Sequence, residues 1–159
     1  MPRPEGTQNF KFNHTMLRVK DPKASIQFYT EVLGMEFLAK HDGGDFTLYF
    51  LAFDDGKGLT EEEKAQGRFA REGVLELTHN HGTESDPDFK GYASGNTEPG
   101  RGFGHIAISV DDIAAACDRF EKSGVQFKKR LTDGKMKNIA FILDPDGYWI
   151  EVVPGDLRL

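Results

Sequence analysis

Hydrophobic and polar positions alternate in two stretches of the chain that resemble each other. The first stretch covers residues 12–19 and the second covers residues 103–110, and each runs into an Asp and then into a segment with helical spacing of its apolar residues. Alternation with a period of two predicts a strand. Each helical segment then stops at a glycine, Gly34 or Gly124, as is common just past a helix C-terminus. The pattern therefore predicts an internal repeat that opens with a strand and a helix.

Further strands are predicted after each helix, which gives both copies the order β-α-β-β-β and an α+β fold class. Asp21 and Asp111 are placed to cap the two helices, and the run Asp144-Pro-Asp-Gly147 predicts a tight turn between the last two strands. The predicted later strands are 46–53, 74–78, 138–143 and 148–153.

The first copy is longer than the second between its helix and its last strand. The excess matches a polar segment at 54–68, which we expect to be an inserted surface helix or loop. The predicted organisation is an N-terminal arm 1–11, a first module 12–81, a connecting loop 82–102, a second module 103–154 and a tail 155–159.

Composition and charge exclude several classes of partner. The 159 residues include 20 basic and 26 acidic side chains, a net charge of −6, without a long basic run, so nucleic acid and anionic membranes are not expected partners. The single cysteine, Cys117, permits no intrachain disulfide. The sequence shows no signal peptide and no apolar run long enough to span a membrane, so a cytoplasmic location is expected.

The repeat places one histidine and one glutamate at matching positions in each copy. His14 and His105 lie in the opening strands, and Glu76 and Glu151 lie in the closing strands among apolar neighbours. A carboxylate inside an apolar strand is costly unless a partner compensates it. Two imidazole nitrogens with two carboxylate oxygens suit a borderline divalent ion such as Zn²⁺, Ni²⁺, Co²⁺ or Mn²⁺. The four residues are therefore predicted metal ligands, and four ligands leave open positions for a catalytic role.

The chain resembles glyoxalase I, the lactoylglutathione lyase family of the vicinal oxygen chelate superfamily, over nearly its whole length. The motifs that carry the resemblance are His14-Thr-Met-Leu-Arg-Val-Lys-Asp-Pro22, Phe28-Tyr-Thr-Glu-Val-Leu-Gly-Met35, Leu75-Glu-Leu-Thr-His-Asn80, Arg101-Gly-Phe-Gly-His105, Gly134-Lys-Met-Lys137 and Asp144-Pro-Asp-Gly-Tyr-Trp-Ile-Glu151. The resemblance implies two β-α-β-β-β modules that form curved mixed sheets around a metal site. It also carries the metal ligands over to His14, Glu76, His105 and Glu151.

The resemblance implies the reaction as well. Members of this family isomerise the hemithioacetal of methylglyoxal and glutathione to S-D-lactoylglutathione through a metal-stabilised enediolate, which detoxifies methylglyoxal. Glu151 is expected to be the principal base, with Glu76 as a ligand that assists. The two inserts resemble the longer, zinc-using members, whereas His14 matches the shorter bacterial ones, so Zn²⁺ is favoured and Ni²⁺ or Co²⁺ stays possible.

Residues that contact glutathione are also implied by the resemblance. They are Arg18, Asn80 and Arg101, with Lys135 and Met136 near the glycyl end. Strand parity supports the first two, because Arg18 shares a face with His14, and Asn80 shares one with Glu76. Arginine suits the two carboxylates of the tripeptide. Four apolar residues either line a pocket for the methyl group or belong to the core: Leu48, Phe50, Met136 and Phe141.

The family commonly forms homodimers with sites shared between subunits, and the same is expected here. Alternatives on the same scaffold are an epimerase, a ring-cleaving dioxygenase, a thiol transferase or a metal-free small-molecule-binding module. The dioxygenases and transferases use two His and one Glu, so Glu76 as a fourth ligand argues against them. The remaining histidines, His41, His79 and His81, are interpreted as structural or exposed.

Overall fold

The computed structural model describes residues 2–157, so residue 1 of the predicted arm and residues 158–159 of the predicted tail lie outside the described part. The chain folds as two units, of which the first ends at Asp86 and the second begins at Pro87. Each unit holds one four-stranded mixed sheet and repeats the order β-α-β-β-β. The α+β prediction with two such modules is confirmed.

The first unit has its strands in the spatial order β1-β4-β3-β2. β1 runs parallel to β4, and the other neighbours are antiparallel. Its elements are β1 (His14–Arg18), α1 (Pro22–Gln27) continued by a π-helical turn (Phe28–Val32), β2 (Glu36–Asp42), β3 (Phe46–Ala52), α2 (Glu61–Gly67) followed by a 3₁₀ turn (Arg68–Ala70), and β4 (Val74–Asn80).

Local chemistry explains where the first helix begins and ends. The Lys23 amide donates to the Asp21 carboxylate at 2.9 Å, and Pro22 occupies the first helical turn, where its missing N–H costs nothing. Gly34 ends the helical segment with φ of +82°, a conformation that a residue with a Cβ rarely adopts. The buried face of the sheet includes Leu17, Leu51 and Leu77.

The polar segment 54–68 contains the helix α2 at Glu61–Gly67. Thr60 and Glu63 make a capping box, in which the Thr60 amide donates to the Glu63 carboxylate at 2.8 Å and the Glu63 amide donates to the Thr60 hydroxyl at 3.3 Å. Hydrogen bonds from the Thr60 backbone and then its side chain lower the pKa of Glu63. The three consecutive glutamates therefore form an exposed helix start, where carboxylates are favoured.

The second unit has the strand order β5-β8-β7-β6, which matches the first unit position by position. β5 is parallel to β8, and the other neighbours are antiparallel. Its elements are β5 (His105–Val110), α3 (Ile113–Lys122), β6 (Phe127–Lys129), β7 (Ala140–Leu143) and β8 (Trp149–Pro154).

The prediction for the second helix cap was wrong by one residue. The capping side chain is that of Asp112 rather than Asp111, because α3 begins at Ile113 and the Asp112 carboxylate accepts from the Ala115 amide at 3.0 Å. The predicted turn at 144–147 is present, with the Asp144 carboxylate accepting from the Asp146 and Tyr148 amides at 3.0 and 2.9 Å.

Cys117 lies on the buried face of α3, and its burial raises the pKa of the thiol. A buried thiol of this kind packs as a small apolar side chain. No helix within residues 2–157 is both long enough and apolar enough to cross a membrane.

Candidate metal centre

The two histidine–glutamate pairs occupy equivalent positions in the two sheets. In the first unit His14 lies opposite Val74 in the parallel ladder, and Glu76 is two residues further along β4. In the second unit His105 lies opposite Trp149, and Glu151 is two residues further along β8. Since residues two apart in a strand share a face, each glutamate points to the same side of the sheet as its histidine.

Each pair is close enough for both side chains to bind one ion. The distance from His14 Nε2 to Glu76 Oε2 is 3.5 Å, and that from His105 Nε2 to Glu151 Oε2 is 3.3 Å. Two atoms that each lie about 2.1 Å from one ion are about 3.0 Å apart at a right angle and about 3.4 Å apart at the tetrahedral angle. The residues present thus fit a divalent cation in their donor chemistry and in their spacing.

The structure brings the four predicted ligands together in these two pairs. Within residues 2–157, no group of three or more His, Cys, Asp or Glu side chains is arranged to hold a metal ion. Each unit by itself therefore supplies two of the four predicted ligands, and the complete four-ligand site stays a prediction.

An aromatic ring stands beside the histidine of each pair. Phe50 pairs with Glu76 across β3 and β4, and its ring is edge-on to His14 with centroids 6.5 Å apart. Phe141 pairs with Glu151 across β7 and β8, and its ring is edge-on to His105 at 5.2 Å. The aromatic edges give each imidazole an apolar wall, so the repeat extends to the surroundings of the pair.

The inserted segment supplies a further cationic side chain near the first pair. The Arg68 guanidinium stacks over the rings of Phe50 and Phe69, at 5.0 and 4.4 Å from their centroids. Stacking of this kind is favourable because the ring face is negative. Sequence reasoning missed Arg68, and neither its type nor its position in a polar surface segment distinguishes it from other charged residues there.

Sequence reasoning also missed Asn13, which contacts the ring of His14. The Asn13 side-chain oxygen lies 2.7 Å from His14 Nδ1, and its amide nitrogen donates to the carbonyls of Arg68 and Arg71 at 2.9 and 2.8 Å. The sequence signal that could have indicated Asn13 is a difference between the two copies of the repeat. Asn13 precedes His14, whereas Gly104 precedes His105.

The predicted glutathione residues of the first unit lie along the strands of the metal pair. Arg18 is exposed, and β1 exposes His14, Met16 and Arg18 while it buries Leu17. Asn80 ends β4 on the same face as Glu76 and is partly exposed, as Glu76 is. The exposure of β1 alternates as predicted, whereas in β4 Thr78 is buried although it shares the face of Glu76 and Asn80. The binding role of Arg18 and Asn80 stays a prediction.

The predicted glutathione residues of the second unit lie in loops. Arg101 makes an ion pair with Glu98 at 3.1 Å, and both side chains are exposed. Lys135 and Met136 are exposed in the loop between β6 and β7, where Lys129 Nζ donates to the Met136 carbonyl at 2.5 Å. Their role in binding glutathione stays a prediction.

The residues before His105 are fixed by their own loop. The Asn96 side-chain amide donates to the Gly104 carbonyl at 2.6 Å, and the Gly102 backbone amide donates to the Gly95 carbonyl at 3.0 Å. A Cβ at Gly95 would lie 1.9 Å from the Phe103 carbonyl oxygen, so only glycine fits this approach. The start of β5 is therefore held in place by one side-chain and one backbone hydrogen bond within its own loop.

The remaining histidines lie outside the two pairs. His79 is buried on the opposite face of β4 from Glu76 and contacts Glu84 at 2.7 Å, which contributes to a lowered pKa of Glu84 after the larger effect of its own backbone hydrogen bond. His81 contacts the Thr47 hydroxyl at 2.8 Å, and His41 is exposed on β2. The contacts of His79 and His81 are with residues outside the two pairs.

Comparisons with known proteins agree with the fold. The model of the glyoxalase/bleomycin resistance protein/dioxygenase superfamily matches residues 11–152. A lactoylglutathione lyase from Pseudomonas putida is 55% identical over 151 residues, which cover 92% of this chain and 86% of that protein. Glyoxalase I from Saccharomyces cerevisiae is 52% identical over 89% of this chain and 44% of that protein. Among solved structures, the trypanothione-dependent glyoxalase I of Leishmania major is 34% identical, with a TM-score of 0.66 over 91% of this chain and 86% of that one.

Proposed function

Because the chain belongs to the glyoxalase/bleomycin resistance protein/dioxygenase superfamily, and within it to the lactoylglutathione lyase (glyoxalase I) family, we propose that it isomerises the hemithioacetal of methylglyoxal and glutathione to S-D-lactoylglutathione. The observation that carries the proposal is the pair of equivalent histidine–glutamate contacts, at 3.5 and 3.3 Å. A single carboxylate–imidazole contact is common in proteins, whereas two at the same register of a repeat supply a complete donor set for one cation.

The reaction needs a base beside the substrate carbon that bears sulfur, and it needs positive charge near the substrate oxygens to make the proton on that carbon more acidic. His14, Glu76, His105 and Glu151 would hold the ion, whose positive charge would stabilise the negative charge that develops on the substrate oxygens. Glu151 removes the proton from the carbon that bears sulfur, and the same proton returns to the neighbouring carbon, which converts the enediolate to the thioester. Glu76 would bind the ion and assist Glu151 in the proton transfer.

The ligand set is proposed to be completed by two chains. Each unit supplies one pair, and a homodimer with sites shared between subunits joins the first pair of one chain to the second pair of its partner. Zn²⁺ is the proposed ion, with Ni²⁺ or Co²⁺ as substitutes, since two imidazoles and two carboxylates suit all three.

The glutathione part of the substrate is proposed to lie against the residues that the family motifs mark. Arg18 and Asn80 are the last residues of β1 and β4, the strands that carry the first pair. The other three lie in loops of the second unit: Arg101, Lys135 and Met136. The arginines bind the two carboxylates of the tripeptide. The methyl group faces the apolar walls made by Phe50 and Phe141. A cytoplasmic location fits this role, because the sole cysteine is a free thiol and glutathione is the reductant of that compartment.

A thioester-formation assay tests the proposed function. Protein stripped of metal is refilled with Zn²⁺, Ni²⁺ or Co²⁺ and mixed with methylglyoxal and glutathione, and the thioester absorbance is followed. We expect no turnover without metal and restored turnover with at least one of the three ions. Absence of metal-restored activity with glutathione and with other thiols, trypanothione included, would favour a small-molecule-binding module instead.

Replacing Arg18 with alanine is expected to raise KM for the hemithioacetal by about 10-fold or more, because a charge-assisted hydrogen bond to a carboxylate is worth roughly 1.5–3 kcal/mol. We expect kcat to change little, since Arg18 lies four residues from His14 along β1 and binds a part of the substrate that does not react. Lys23→Ala, which removes an exposed cation of α1 in the same unit, is the matched control. An Arg18→Ala enzyme with the KM of the control would remove Arg18 from the binding site.

A further inference from the structure

The Asn13 side chain uses nearly all of its hydrogen-bonding capacity in the first unit. Its amide nitrogen donates both hydrogens, one to the Arg68 carbonyl at 2.9 Å and one to the Arg71 carbonyl at 2.8 Å. Its oxygen lies 2.7 Å from His14 Nδ1. The Asn13 backbone is fixed as well, because its carbonyl accepts from the Val74 amide at 2.9 Å. The carboxamide therefore sits in one orientation.

This orientation determines which nitrogen of His14 carries the proton. Turning the carboxamide over would place its oxygen against two carbonyl oxygens, where no hydrogen bond can form. The oxygen of Asn13 must therefore face His14, and it can only accept. His14 Nδ1 must then be the protonated nitrogen, and the lone pair of the neutral ring is on Nε2.

The lone pair of Nε2 faces the carboxylate of the same pair. Nε2 lies 3.5 Å from Glu76 Oε2, and neither atom has a hydrogen to share when the ring is neutral. Two electron-rich atoms at this separation are stabilised by a cation between them. The contact with Asn13 thus selects the form of His14 that can bind a metal ion.

We propose that Asn13 is a positioning residue for the metal centre: it fixes the ring orientation and the Nδ1–H tautomer of His14, and it ties them to the chain that follows α2, through the carbonyls of Arg68 and Arg71. Such partners of ligating histidines commonly change metal affinity by about 10- to 100-fold. The second pair has no counterpart, because Gly104 stands before His105. The two halves of the repeat therefore differ in how their histidines are oriented. The effect on metal affinity rests on the proposed function, whereas the tautomer does not.

Long-range ¹H–¹⁵N spectra of the metal-free protein test the tautomer directly. They are recorded at pH about 8.5, where an ordinary imidazole is neutral, and the His14 signals are assigned by their loss in His14→Gln. We expect the Nδ1–H pattern in the wild type and in Asn13→Asp, which keeps the acceptor oxygen. We expect Asn13→Ala to lose it. A wild-type ring protonated on Nε2, or an Asn13→Ala ring that stays protonated on Nδ1, would overturn the proposal.

Zn²⁺ competition titration with a chromophoric chelator gives the second measurement. Asn13→Ala is expected to weaken Zn²⁺ binding by about 10-fold or more, and Asn13→Asp is expected to stay near the wild type. Both variants lose the two hydrogen bonds to the carbonyls of Arg68 and Arg71. If both lost the same amount of Zn²⁺ affinity, the cause would be the loss of these two bonds and not the contact with His14, and the proposal would be overturned.

A matched variant controls for general loosening of the fold. Asn96→Ala removes an asparagine-to-carbonyl hydrogen bond in the second unit, at Gly104, and should leave the His14 spectrum unchanged. If it altered that spectrum as Asn13→Ala does, the proposal would fail. If the wild type bound no divalent ion, the proposed function would fail, while the His14 spectrum would still decide the role of Asn13.

Discussion

Replacing Glu151 with glutamine should lower kcat by about 10²- to 10⁴-fold, the range that a positioned general base contributes. Glutamine keeps the size of the side chain and one carbonyl oxygen that can bind an ion, but it has no basic oxygen for the proton. Metal content and KM should therefore change much less than kcat. The measurement is steady-state kinetics of the metal-loaded variant, with metal content determined on the same sample.

Glu76→Gln is the matched control, because Glu76 has the same register relative to its histidine as Glu151 has. We expect its loss of kcat to be smaller than that of Glu151→Gln, since Glu76 serves mainly as a ligand. Near-normal turnover of Glu151→Gln with metal bound would remove Glu151 as the base. A larger loss in Glu76→Gln would reverse the two assignments.

Two inactive variants should restore activity when they are combined in one dimer. One variant carries His14→Ala and Glu76→Ala, and the other carries His105→Ala and Glu151→Ala, so neither homodimer retains a complete ligand set. With sites shared between subunits, the heterodimer keeps one intact site of two and about half of the wild-type activity. Differently tagged chains, co-expressed and purified on both tags, provide the heterodimer for the assay.

The converse heterodimer separates shared sites from sites within one chain. It joins a wild-type chain to a chain with all four substitutions. Shared sites predict no activity, because each site then lacks one pair, whereas sites within one chain predict about half of the wild-type activity. An inactive first heterodimer together with an active second one would contradict the sharing of sites.

The repeat and both pairs could be predicted because they depend on local rules. Strand alternation places residues two apart on one face, so the matching positions of His14 and His105, and of Glu76 and Glu151, were sufficient to indicate equivalent geometry. The family resemblance then predicted the reaction, the base and the residues that contact glutathione. The observed register, in which each glutamate lies two residues beyond the partner of its histidine, agrees with that reasoning.

The contacts that could not be predicted join segments far apart in sequence. Asn13 meets the carbonyls of Arg68 and Arg71 only because the inserted segment returns to the start of β1, and no periodicity encodes that return. The cap at Asp112 was missed for a different reason. Two adjacent aspartates offer equivalent chemistry, and the exact start of the helix decides which of them accepts from the Ala115 amide.

The proposed function requires the two pairs to bind one ion together. Crystals of the Zn²⁺-loaded protein, with diffraction recorded at the zinc absorption edge, test it most directly through an anomalous difference map. We expect one peak per site, about 2.0–2.2 Å from Nε2 of His14 and His105 and from carboxylate oxygens of Glu76 and Glu151. A peak bound by one pair alone, or no peak at either pair, would contradict it.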